Sequence, residues 1–159
     1  MSAKPIPGRT TAAAAGEVVV FLVGMRINRF WAVHRWLPVL RAMPPMLKEL
    51  SRDEDSGLLG YQLLIGSPRT IYVVQYWESK EKLLDYAADP GKLHRPAWGM
   101  LNRFRRQGGA HVGFWHETYL VPAGRHESIY VDMPAHGLGK AVGVLPVGHG
   151  VRAADRLGA

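Results

Sequence analysis

The sequence predicts an α+β fold, and three observations predict it. Runs of β-branched and apolar residues occur four times, two long stretches carry apolar residues at helical spacing, and the order is strand, helix, strand, strand, helix, strand. A length of 159 residues is enough to bury one core without metal or disulfide staples.

Residues 1–16 are rich in Ala, Pro, Gly and Thr and lack apolar periodicity, so they read as a flexible N-terminal arm. Glu17–Met25 is apolar on both alternating faces, as a strand buried on two sides would be. From Phe30 to Arg52, Val33, Leu37, Leu40, Met43, Leu47 and Leu50 recur at helical steps. Pro44 and Pro45 lack N–H groups, which predicts a kink or a second short helix there. Gly57–Ile65 and Thr70–Trp77 form a hairpin around the turn Gly66–Arg69. Ser79 caps a short helix whose buried side carries Leu83, Leu84 and Ala87. Asp89-Pro-Gly91 ends it, and Leu93–Gln107 follows as another helix closed by Gly108-Gly109. Ala110–Val121 is the fourth strand, and a Gly-rich tail holds one strand-like piece, Ser128–Val131.

This order is the split βαβ arrangement of ferredoxin-like domains, a four-stranded antiparallel sheet with helices on one face. It places the domain at 17–121, with 122–159 as an extension that packs on the domain or on a dimer partner. The sheet's other face is also apolar, more than a monomer usually exposes, so a second copy packed sheet against sheet is expected.

Composition narrows the function. With 47% apolar and 21% charged residues the chain is neither disordered nor collagen-like, and its apolar runs are too short to span a bilayer. Zero cysteine excludes thiol nucleophiles, thiolate metal sites and disulfides. The net charge is +7 and fourteen of the basic residues are Arg, yet Arg26, Arg35, Arg41, Arg69 and Arg125 are scattered and only Arg103, Arg105 and Arg106 crowd together. No nucleic-acid motif accompanies them, so neither a nucleic acid nor a membrane is expected as partner. Glu17 interrupts a signal-like N-terminal run and no cleavage site follows, which favours the cytoplasm.

Candidate chemistry falls in two places. His94, Trp98, Asn102 and Arg106 recur every four residues on one helix, joining a base, a planar aromatic and an amide; a solvated face anchored by the Trp has the same spacing. On the last strand His116 points opposite to Glu117, which shares a side with Trp115 and Tyr119; Arg26 is the expected ion-pair partner of Glu117. His116 is a base or a satisfied core histidine. Gly137-Leu-Gly-Lys-Ala-Val-Gly143 is one residue too long for a dinucleotide fingerprint. The seven histidines have no metal-site spacing, so no metal is expected, although a haem would find one axial ligand in His94 or His116.

Gly24–Asn28, Trp36-Leu-Pro38, Met46–Leu50, Gln75–Ser79, His94 through Trp98, Val112-Gly113 with His116–Tyr119, and Glu127 to Pro134 followed by Gly137–Gly139 form one set. Together they resemble a monooxygenase-like domain family related to the antibiotic-biosynthesis monooxygenases, with a fungal branch in fumagillin-type polyketide pathways. The resemblance covers roughly Gly16 to Val144 and implies a dimeric α+β barrel with a ligand pocket between sheet and helices. It carries over to His94, Trp98, His116, Glu117 and Tyr119. The activity it implies is cofactor-independent oxidation of a polyketide-like or phenolic small molecule by O₂. In that scheme His94 or His116 removes a proton, Trp77 and Trp98 sandwich the substrate, and Asn102 or Tyr119 hydrogen-bonds the oxyanion. The alternatives are a haem-binding protein of the same fold, with Arg residues on the propionates, or a non-catalytic dimer that holds a small ligand.

Overall fold

The computed structural model describes residues 4–148 and 150–157. The main sheet contains β2 (Val18–Ile27), β3 (Leu58–Ser67), β4 (Thr70–Trp77) and β5 (Val112–Val121), antiparallel in the order β3-β4-β2-β5. With α1 (Val33–Arg52), α2 (Lys80–Ala88) and α3 (His94–Arg106) between them, this is the ferredoxin-like arrangement. β2 lies between β4 and β5, paired along its length, which explains why its sequence is apolar on both faces.

Register assigns the faces, because residues directly opposite across antiparallel strands share a side. Val19 opposes Trp77 and Leu120, and Val23 opposes Val73 and His116, so these residues form the helix-facing side. There Val19, Leu50, Trp77 and Leu83 make the buried core, with Phe21, Leu58 and Tyr86 packed against it. On the other face Gly24 lies beneath the neighbouring rings of Trp115 and Tyr72, and a Cβ at Gly24 would come within 2.7 Å of both.

α1 is continuous through Pro38, Pro44 and Pro45, so of the expected kink or second short helix the second helix does not form. All three prolines lie on the exposed side, where water can meet the carbonyls they leave without donors. In α2 the Ser79 hydroxyl accepts the Lys82 N–H at 3.2 Å, as expected of a cap. Its inward residues are Leu83 and Tyr86, whereas Leu84 is exposed.

The ends of the chain differ most from the sequence reading. Residues Ile6–Ala12, read as part of a flexible arm, form β1, the central strand of a second sheet with β6 (Tyr130–Met133) and β7 (Val144–Pro146). Thr10 and Ala12 alternate inward, but their partners lie more than a hundred residues away, and no local pattern announces such pairing. The tail packs on its own chain: α4 (Gly137–Val142) sits on the outer face of β3, with Ala141 against Gly60 and the Gly137 N–H donating to Gln62 Oε1. Part of the face expected to meet a second copy is therefore covered from within. A last turn, α5 (Ala153–Arg156), is tied by the ion pair of Arg156 with Glu127.

Candidate functional site

The C-terminal half of α1, the last turn of α2 and the start of α3 meet above the Trp77 end of the main sheet. Trp77 is 0% exposed and its indole N–H donates to Gln75 Oε1 at 2.9 Å. Tyr86 tilts against it with ring centroids 5.9 Å apart, and His94 follows at 5.0 Å from Tyr86. The sequence order Trp77, Tyr86, His94 thus becomes a spatial series of rings leading out from the core.

His94 Nε2 lies 2.7 Å from the carbonyl oxygen of Ala87. A carbonyl only accepts, so Nε2 carries the hydrogen and the neutral ring keeps its lone pair on Nδ1. Nδ1 is buried and has no hydrogen-bond partner among the described residues, and the same holds for the Tyr86 hydroxyl. Burial, together with the nearby negative charge of Glu49, pushes the Tyr86 phenol up to about 12. The Glu49 carboxylate acts on it through charge and as a weak acceptor beyond ordinary hydrogen-bond distance of the hydroxyl, while accepting the Leu93 N–H at 3.1 Å.

Glu49 and Leu93 also line an open cleft of about 430 Å³ with Pro45, Lys48, Arg52 and Asp53. Lys92 donates to Asp53 at 2.7 Å, which holds the Asp53 carboxyl below and the Lys92 ammonium above their ordinary values. Lys48 and Arg52 are exposed on the rim. A lone-pair acceptor and a phenolic donor on rings 5.0 Å apart would together complement one hydroxyl or enol oxygen of a ligand.

The other sequence candidates are dispersed. Trp77 is sealed in the core and offers no face to a substrate, so the sandwich with Trp98 does not form; Trp98 is 49% exposed. Each four-residue step on a helix drifts by about 40°. Asn102 and Arg106 have therefore turned out to solvent while His94 remains on the packed stripe with Ala97, Leu101 and Phe104. His116 is exposed on the helix-facing side against Phe21 at 5.8 Å, four residues along β2 from the Trp77 pairing. That is about 13 Å away, so the two histidines do not converge.

Glu117 and Tyr119 lie on the outer face, where the Tyr119 hydroxyl donates to Glu117 Oε2 at 2.6 Å; this bond raises the phenol's pKa and commits its proton. Arg26 does not pair with Glu117. It opposes Gly113, whereas Glu117 opposes Leu22, four positions away. Tyr86 and Glu49 were missed; the Leu83–Tyr86 spacing was the only sequence signal for the first, and a polar residue beside Leu50 gives none for the second. Among the described residues no group of three His, Asp or Glu is placed to hold a metal ion.

The profile of the family described as monooxygenase af470-like matches residues 18–138. The chain belongs to the monooxygenase af470-like family. Monooxygenase af470 of Aspergillus fumigatus is 30% identical over 146 residues, taking in 80% of this chain and 51% of that protein. This af470-like chain therefore spans about half the length of the curated relative it matches. Among solved structures, aldoxime dehydratase OxdRE in complex with butyraldoxime superposes with a TM-score of 0.66 at 13% identity, covering 90% of this chain and 41% of that one. At that identity the likeness is one of fold. SnoaB, a cofactor-independent oxygenase from Streptomyces nogalater, gives a TM-score of 0.43 at 15% identity, covering 65% of this chain and 91% of its own.

Proposed function

We propose that this af470-like chain is a cofactor-independent monooxygenase acting on a small polyketide-like or phenolic substrate, with His94 as the base. The observation that carries the reading is the pair of buried, unpartnered atoms, His94 Nδ1 and the Tyr86 hydroxyl. A buried polar atom left without a partner costs about 1–3 kcal/mol, so two of them on neighbouring rings mark a place where a ligand's polar group belongs. Family membership supports the reaction class.

Electron balance narrows the substrate. With no added reductant, all electrons that reduce O₂ come from the substrate, and a doubly activated methylene supplies them: R₂CH₂ + O₂ gives R₂C=O + H₂O. His94 Nδ1 takes the first proton, while the Tyr86 O–H donates to the enolate oxygen. The carbanion passes one electron to O₂, the radical pair joins as a C–O–O bond, and loss of the second C–H proton with O–O cleavage releases water. Access from the cleft requires its lining side chains Glu49 and Leu93 to move aside.

A haem does not fit His94 as placed. Nε2 is held by the Ala87 carbonyl, and Nδ1 is buried with no room for a macrocycle. His116 has room, yet among the described residues no hydrogen bond orients its ring, as a ligating histidine requires. We also infer that two copies associate through the part of the outer face that α4 leaves open, where Tyr119 is half exposed.

The test is stoichiometry. Purified protein, treated with chelator, should form one ketone per O₂ consumed from an activated methylene compound without releasing peroxide. Turnover that needs added metal, flavin or haem would refute the reading.

A further inference from the structure

Arginines that lie far apart in the sequence are gathered by the fold at one end of the main sheet. β2 ends there, carrying Arg26 next to its last residue, and Arg29 follows in the loop to α1. Arg69, from the β3–β4 turn, donates to the carbonyls of Ile27 at 3.2 Å and Asn28 at 3.1 Å, with its guanidinium 4.3 Å over the Phe30 ring. β5 starts at the same end, since the Asn28 N–H donates to the His111 carbonyl at 2.9 Å. Arg35 bonds Gln107, the residue that closes α3, and so places Arg103, Arg105 and Arg106 of its last turn there too.

Among the described residues none of these seven arginines lies within 4 Å of a carboxylate. Segments 18–48, 56–77 and 90–116 contain no Asp or Glu at all. Hydrophobic side chains protrude beside this charge. Trp31 and Ile65 are each 74% exposed, and Phe30 and Leu63 also face solvent.

We propose that this end docks on an anionic lipid surface. The five exposed arginines, Arg26, Arg29, Arg103, Arg105 and Arg106, meet the negative headgroups, each worth about a fivefold gain in binding near such a surface. Trp31, Phe30 and Ile65 enter the boundary between headgroups and acyl chains. A nucleic acid satisfies the arginines but offers nothing to Ile65 and Leu63. A second copy would bring like charges together. No helix among the described residues is long and apolar enough to cross a membrane, and docking at the interface needs none. The Glu49–Arg52 cleft sits at the far end of α1, about 25 Å along the helix from the docking surface.

The test is cosedimentation of the full chain with vesicles of phosphatidylcholine alone or mixed with phosphatidylserine. Binding is expected only to the mixed vesicles and is reversed by salt. Trp31→Ala with Ile65→Ser should lower the partition coefficient about tenfold, and Arg103→Gln with Arg105→Gln and Arg106→Gln at least tenfold. Circular dichroism checks that each variant folds. Equal binding to both vesicles, binding to neither, or no effect of the variants would overturn the proposal. So would a variant-induced change in oligomeric mass, or tighter retention on a duplex oligonucleotide than on the mixed vesicles.

Discussion

The rings of Tyr86 and His94 stand 5.0 Å apart, and the hydroxyl of one and the Nδ1 of the other are both buried and both unpartnered. A merely structural pair and a working pair respond oppositely to the same substitution. Tyr86→Phe removes an orphan hydroxyl and keeps the ring on Trp77. Stability should therefore hold or rise by up to about 1 kcal/mol, while oxygen uptake falls at least tenfold. Urea denaturation and an oxygen electrode measure the two; a destabilised variant with full uptake would refute the role.

The raised pKa of Tyr86 carries a pH signature. Its phenol titrates near 10 when unfolded and is pushed up to about 12 in the fold. Between those values the native state holds the extra proton, so the contribution is fully present below pH 10 and is lost as pH rises toward 12. Wild-type stability should fall more steeply over that window than that of Tyr86→Phe. Parallel curves would count against the burial of the hydroxyl.

Trp77 and Trp98 are separated by burial. Trp77→Ala empties a fully buried site and should cost about 3–5 kcal/mol. Trp98→Ala, at a half-exposed helix position, should cost under about 1 kcal/mol. Chemical denaturation of both variants checks this; equal losses would contradict the placement of Trp77 as core.

Much of the fold was legible because its signals are local. The β-branched run at Val18–Val23, the Ser79 cap and the Gly108-Gly109 stop lie within a few residues of the elements they specify. β1 was not legible, since Pro5, Pro7 and Gly8 read as loop and its pairing with β6 and β7 is long-range. At the site, His94 stood out as a base on a helix face. Tyr86 and Glu49 did not, because what distinguishes them is three-dimensional: an unpartnered hydroxyl and a carboxylate whose charge reaches it. The ion pair assigned to Arg26 and Glu117 failed on register, which no single strand's sequence encodes.

If two copies meet on the open outer face, charge placed there should separate them. Tyr119→Lys puts a cation on that face without touching the His94 site and should shift the gel-filtration mass from two chains to one. A single-chain mass for the wild type would remove the dimer from the account.

The most direct measurement is oxygen uptake by wild type, His94→Ala and His116→Ala on an activated methylene or phenolic compound, with chelator present. His94→Ala should lower the rate 10²–10⁴-fold, the usual loss when a general base is removed, and His116→Ala should leave it within about threefold. Unimpaired uptake in His94→Ala would contradict the assignment of His94 as the base.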